Sequence, residues 1–249
     1  MTQAVKLKLN CDLGESFGSW TIGMDEAVMP YVDQANIACG FHAGDPLVMR
    51  KTLALAKEHD VCVGAHPGYP DLVGFGRRSL NASDAEIQSF VQYQMAALDG
   101  MAAIQGLTMQ YVKPHGALYN DMMSKDHVRS SIMQAVANYH RPVVLMLQGT
   151  PDALLHRGEA EKFGLDIWFE AFADRCYEDD GRLMSRTKEG AVHSREKMLA
   201  QVAQLCATGT VISASGKEIQ LHANTLCVHG DNMAGVNAIS EIRQLILGS

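Results

Sequence analysis

The chain alternates short apolar runs with longer stretches of helical period, and most of the apolar runs end on ionisable side chains. Leu7-Lys8-Leu9-Asn10-Cys11-Asp12 is the first run; Gln34-Ala35-Asn36-Ile37-Ala38-Cys39 is the second, breaking at Gly40 into Phe41-His42-Ala43-Gly44-Asp45-Pro46. Short apolar runs bounded by glycine and proline read as buried strands. The same grammar predicts strands ending at His66, at Val112-Lys113, at Leu147, at Glu170 and at His229. Between them, apolar residues at helical spacing predict helices over 24–32, 47–59, from Ser83 onward, over 126–138, after Thr150, over 194–207 and at the C-terminal end. Ser83 and Glu86 make a capping box, and Asp45 before Pro46 suits the cap and first position of a helix.

Three segments depart from this rhythm. Ser215-Gly216-Lys217 between 210–214 and 218–222 predicts an inserted hairpin. The polar stretch 177–193 reads as surface loop. Residues 67–78 are glycine-rich but carry Leu72, Val73 and Phe75, so they read as an ordered lid in which Arg77 or Arg78 offers a place for an anion.

Strands separated mostly by helices imply a parallel sheet with right-handed crossovers. A doubly wound sheet gathers its ligand groups at a switch point, whereas here polar strand ends occur in both halves of the chain, which favours closure. The expected architecture is α/β: a distorted, TIM-like, seven-stranded parallel β/α barrel forming a single domain over 1–249. No internal repeat or linker interrupts it.

Composition narrows the function classes. The 249 residues are 47% hydrophobic, enough for a full core, and the net charge of -7 without any Lys/Arg run argues against a nucleic-acid surface. No stretch approaches the roughly 20 apolar residues of a membrane span, and residues 1–8 have no apolar signal core, so a cytoplasmic protein is expected. Cys11, Cys39, Cys62 and Cys227 fall inside predicted strands without CxxC spacing, which favours reduced thiols over disulfides or zinc.

His42, His66, His115 and His229 follow strands, with Asp12, Asp45, Glu170 and Asp231 nearby: a supply of general acids, bases and metal ligands. A lone histidine after a strand is more often a packing residue, but four at equivalent positions argue jointly for a site. Lys113, between Val112 and Pro114-His115, is expected to point into the mouth and hold an oxyanion or carboxylate. Arg175 is similar, with Asp174 as its neutralising neighbour. Gly216-Lys217-Glu218 is not a phosphate loop, and G-x-S-x-G is missing, so nothing local signals a nucleotide or a serine nucleophile.

Several long motifs carry a resemblance: Leu9-Asn10-Cys11-Asp12-Leu13-Gly14-Glu15, Asn36 through Asp45, Gly64-Ala65-His66-Pro67-Gly68-Tyr69-Pro70-Asp71, Val112 through Tyr119, and Cys227-Val228-His229-Gly230-Asp231. In these the chain resembles the LamB/YcsF family. The resemblance implies a barrel similar to that of polysaccharide deacetylases and a role in the ATP-dependent opening of 5-oxoproline to glutamate, together with separate B and C subunits. It also implies a site built from Asp12, His66, His115 and Glu170 as catalytic groups, with His42, Asp45, Lys113, Arg175, His229 and Asp231 binding substrate. Within that set, Asp12 or Glu170 would be the base, His66 or His115 the acid, and Lys113 or Arg175 the partner of a carboxylate or phosphate. ATP, with Mg, would be a co-substrate held on the partner subunits, and no metal is assigned to this chain. Two other readings stand beside it. By fold analogy, Asp12 with two histidines would bind a divalent metal and hydrolyse an N-acyl group; alternatively, the chain would be a non-catalytic scaffold that senses the lactam.

Overall fold

The computed structural model describes residues 7–229 and 233–248. Strands β1 (Lys8–Leu13), β2 (Gln34–Ala38), β3 (Cys62–His66), β4 (Tyr111–Val112), β5 (Val144–Gln148) and β6 (Ile167–Phe172) pair in sequence order, all parallel. A short antiparallel hairpin, β7 (Thr210–Ile212) and β8 (Glu218–Gln220), stands apart from them. β9 (Thr225–His229) then pairs with both β6 and β1 and closes a seven-stranded barrel.

Around it lie α1 (Asp25–Val28), running into a 3-10 turn at Met29–Tyr31, and α2 (Pro46–Glu58), α3 (Asp84–Ile104), α4 (Gly116–Ser124), α5 (Asp126–Ala137), α6 (Ala153–Glu161), α7 (Arg195–Thr208) and α8 (Met233–Leu247). Asp45 caps α2 and Ser83–Glu86 form the capping box of α3, as their spacing predicts. No helix among the described residues is long and apolar enough to cross a membrane.

Three local readings need correction. No helix was expected between Lys113 and Asp126, where α4 lies; its start has no side-chain cap and its polar Asn120 and Asp121 stand among the buried Leu118, Tyr119 and Met122. The helix after Thr150 begins only at Ala153, because the Thr150 hydroxyl accepts the Asp152 N–H in a preceding turn. The stretch 177–193 is not simply surface: Tyr177 is fully buried, its hydroxyl accepting the Phe172 N–H at 2.8 Å, and the segment folds back over the barrel mouth.

Outward-facing strand residues such as Leu9, Cys11, Ile37 and Val63 join the helices in the apolar core. The barrel interior, by contrast, is polar. Asn36 Nδ2 donates to Asn10 Oδ1 at 2.8 Å and to Asp12 Oδ1 at 2.7 Å, Tyr111 Oη donates to Asn36 Oδ1, and Asn10 Nδ2 donates to Thr225 Oγ1. Barrel centres are usually filled by branched apolar side chains, so this network holds its members by hydrogen bonding instead. Register puts Asp12 opposite Asn36 on one side and His229 on the other.

Gly64 makes room for the network, since a Cβ there would come within 2.3 Å of the Tyr111 ring. Gly64→Ala is therefore expected to destabilise the fold by about 1–3 kcal/mol, the usual scale of overpacking. A lowered urea midpoint at unchanged slope is the readout; an unchanged midpoint would mean that Tyr111 yields without cost.

Candidate active site

Strand ends deliver charged groups to one side of the barrel. Lys113, just after β4, is buried, with its Nζ 2.9 Å from Asp12 Oδ1 on β1, 3.1 Å from Glu170 Oε2 on β6 and 3.1 Å from Cys227 Sγ on β9. One ammonium thus stands between two carboxylates. Burial works against the Lys113 charge, but Asp12, Cys227 and Glu170 outweigh it and hold the pKa well above the usual lysine value. Burial likewise opposes charge on Asp12, yet His66 and Lys113 hold its pKa well below the usual carboxylate range. Glu170 goes the other way: burial, only partly offset by Lys113, raises its pKa. Two carboxylates on one cation are thereby driven apart, Asp12 ionised and Glu170 disposed toward the neutral form.

Hydrogen bonds to oxygen acceptors set the tautomer that each of three imidazoles adopts as a neutral ring. His66 Nδ1 lies 2.7 Å from the Lys113 carbonyl, which only accepts, so Nδ1 carries the proton and Nε2 presents its lone pair. His115 Nε2 lies 2.9 Å from the Phe75 carbonyl, so its lone pair is on Nδ1. His229 Nδ1 lies 2.9 Å from both Asp174 carboxylate oxygens and donates to them, which leaves Nε2 as a base 4.0 Å from Asp12 Oδ2. Burial alone would raise the Asp174 pKa, but His229 holds it below the ordinary value, as an orienting carboxylate requires.

His42 stacks face to face on His115 with ring centroids 3.7 Å apart. Burial pulls the pKa of both rings well below the usual histidine value. Gly76 permits this packing, because at its φ of +62° a Cβ would lie 2.8 Å from His42 Cβ and 2.9 Å from His115 Cδ2.

The cavity above these groups measures about 480 Å³. Asp12, His66, Lys113, His115 and His229 meet it from the strand ends; Tyr119 and Met123 from α4 form a wall. Arg175, Arg182, Leu183, Met184 and Arg186 supply a roof that is basic and partly apolar. The Arg175 guanidinium holds the roof by donating to the backbone carbonyls of Met184 and Ala191. Its burial, and then the charge of Arg186, push its pKa down to about 10, so two like charges share this wall.

Of the residues expected at the site, Asp12, His66, Lys113, His115, Arg175 and His229 line the cavity, while Glu170 lies beneath Lys113 and His42 behind His115. Asp45 is not brought in: its carboxylate accepts the N–H groups of Leu47, Val48 and Gly18 as a helix cap. Asp231 falls outside the described residues. Asp174 serves His229 rather than Arg175, because β6 and β9 are neighbours in the closed barrel. Within 67–78, Arg78 is spent on an ion pair with Asp71, while Arg77 reaches the cavity and Phe75 packs edge-on against His115. The segment is therefore a packed wall of the site, its Gly76 carbonyl accepting the Ala117 N–H.

Sequence reasoning assigned no role to Glu15, whose Oε1 lies 3.5 Å from His115 Nδ1 and 3.7 Å from His42 Nε2. It also missed the roof and Tyr119. Glu15 stands inside the first of the motifs, three residues beyond Asp12, which was the available signal.

The profile of the LamB/YcsF family matches residues 7–248. The A subunit of a 5-oxoprolinase from Pseudomonas fluorescens is 52% identical over 242 residues, 97% of each chain. The corresponding 5-oxoprolinase chain of Chromohalobacter salexigens is 51% identical over 241 residues, 96% of each. The crystal structure of a lactam utilization protein from Thermus thermophilus superposes with a TM-score of 0.88 at 36% identity, covering 97% of this chain and 96% of that one.

Proposed function

The chain belongs to the LamB/YcsF family, and from that membership we propose that its barrel mouth is the ring-opening site of an ATP-dependent 5-oxoprolinase that hydrolyses 5-oxoproline to glutamate. It is one component of a multi-subunit hydrolase that opens a cyclic amide. The observation that carries the site assignment is the meeting, in one cavity, of an oriented base, a buried ammonium and a cationic roof.

A lactam is a resonance-stabilised amide, so its opening needs an activated carbonyl, an activated water and a proton for the departing nitrogen. His229, held by Asp174 with Nε2 toward the cavity, takes the proton of the attacking water. Water oxygen bonds to the carbonyl carbon, the ring C–N bond breaks and the nitrogen leaves protonated as the amino group; on a substrate whose carbonyl oxygen ATP has phosphorylated this yields an acyl phosphate, which a second water splits into the glutamate carboxylate and inorganic phosphate. His66 and His115 present no proton toward the cavity in their neutral forms, so the acid role expected of them passes to Lys113, whose ammonium also stabilises the developing oxyanion. Glu170 acts through Lys113 as a positioning residue. Arg175 and Arg186 receive the substrate carboxylate or a phosphoryl group carried by an activated substrate.

ATP activation of the carbonyl takes place on partner subunits, B and C, because the chain carries no phosphate loop. Cytoplasmic residence fits ATP as co-substrate. The test is turnover of 5-oxoproline with MgATP by the purified chain alone and with the B and C subunits. Activity is expected only in the reconstituted mixture; full turnover by the chain alone would overturn the division of labour.

A further inference from the structure

We infer that Glu15, His42, His66 and His115 form a binding site for a divalent transition-metal ion in the wall of the cavity. The first observation is the fixed direction of two lone pairs. As neutral rings, His66 and His115 each give their one ring proton to a backbone carbonyl, of Lys113 and Phe75, so that His66 Nε2 and His115 Nδ1 face each other at 3.0 Å as two acceptors. Two facing lone pairs repel unless a cation lies between or beside them. A metal-binding histidine is oriented in this way, by donating its other nitrogen to a carbonyl or carboxylate.

The second observation is independent. His42 is 1% exposed, and neither of its ring nitrogens has a hydrogen-bond partner, although Nε2 points at Glu15 Oε1 3.7 Å away. A buried imidazole without partners is costly and calls for an explanation; a bound ion is one that satisfies it.

Three of the donor separations come near those of a tetrahedral site, and the His42 ring, parallel to that of His115, reaches the same point by turning about its Cβ–Cγ bond. Tetrahedral ligands about 2.0–2.1 Å from an ion are about 3.3–3.4 Å apart. The separations here are 3.0 Å from His66 Nε2 to His115 Nδ1, 3.5 Å from His115 Nδ1 to Glu15 Oε1, and 3.7 Å from Glu15 Oε1 to His42 Nε2. All four donor atoms lie within 4.8 Å of one another. Three neutral nitrogens and one carboxylate suit zinc or a neighbouring first-row ion rather than the all-oxygen surroundings that magnesium or calcium prefers. The ion's charge would stand beside Asp12, whose Oδ2 is 3.3 Å from His66 Nε2. When bound, it would supply electrophilic assistance next to the reacting groups, independently of whether the substrate is a lactam.

The experiment is metal binding by the full-length chain, stripped with a chelator, reloaded with Zn2+ and desalted. Wild type should retain about one zinc ion per chain, and Co2+ loading should give a visible ligand-field band. Glu15→Gln and His42→Asn, which preserve polar side chains of similar size, should lose the zinc and the band while keeping the wild-type circular dichroism. The exposed His127→Ala variant should keep both. Absence of retained metal in wild type would overturn the inference, as would equal retention by the Glu15 and His42 variants. If the two variants prove misfolded, zinc-dependent elevation of the wild-type melting temperature, abolished in His115→Gln, decides the matter.

Discussion

His229→Asn is expected to lower turnover of the reconstituted enzyme by about 10²–10⁴-fold, the scale on which a positioned general base contributes. Asparagine can place its side-chain N–H where His229 Nδ1 now donates to Asp174, so the buried carboxylate keeps a partner and the fold should be retained. What disappears is the basic Nε2 facing the cavity. The rate loss should therefore fall on kcat with KM nearly unchanged. Asp174→Asn tests the same arrangement from behind, because an amide no longer compels the Nδ1–H tautomer, and it should also lower kcat. A wild-type kcat in either variant at an unchanged melting temperature would remove His229 from the role of base.

The fold was legible because apolar runs and helical stripes are set by burial, and burial follows local pattern. The polar barrel interior was also written in the sequence, though less openly. Asn10 and Asp12, Gln34 and Asn36, and Thr225, Cys227 and His229 recur at alternate positions of otherwise apolar strands, and period two places each set on one face. The inward-facing network follows from that alternation once the barrel closes.

Pairings across the barrel were not legible. Asp174 sits next to Arg175 in sequence, yet it meets His229, 55 residues away. Closure makes β6 and β9 neighbours, and only register says which side chains face each other. The roof over 182–187 was misread for a different reason: a polar stretch facing a wet cavity has the same composition as one facing bulk solvent. Asp45 shows the reverse error. A carboxylate before a helical proline satisfies the sequence signature of a cap and of a site alike, and its hydrogen bonds assign it to the helix.

Lys113→Met should be the most damaging substitution at the mouth, for stability and for activity together. Lys113 is 2% exposed and its ammonium lies 2.9 Å from Asp12 and 3.1 Å from Glu170, so its removal leaves two buried carboxylates facing each other without a cation. Breaking a buried ion pair from one side costs about 3–5 kcal/mol, because the surviving charge is stranded. Glu170 is already disposed toward protonation by its burial, so the double variant Lys113→Met, Glu170→Gln should recover much of that stability: the neutral amide replaces the group least able to stay charged. Activity should not return with it, since the proton donor and oxyanion partner remain absent, and a loss of at least about 100-fold is expected in both variants. Urea unfolding and reconstituted turnover, measured side by side on the two single variants and the double, separate these effects. Additive stability changes would show that Lys113 and Glu170 are not energetically coupled, while restored turnover in the double variant would mean that Lys113 supports the structure and takes no part in the chemistry.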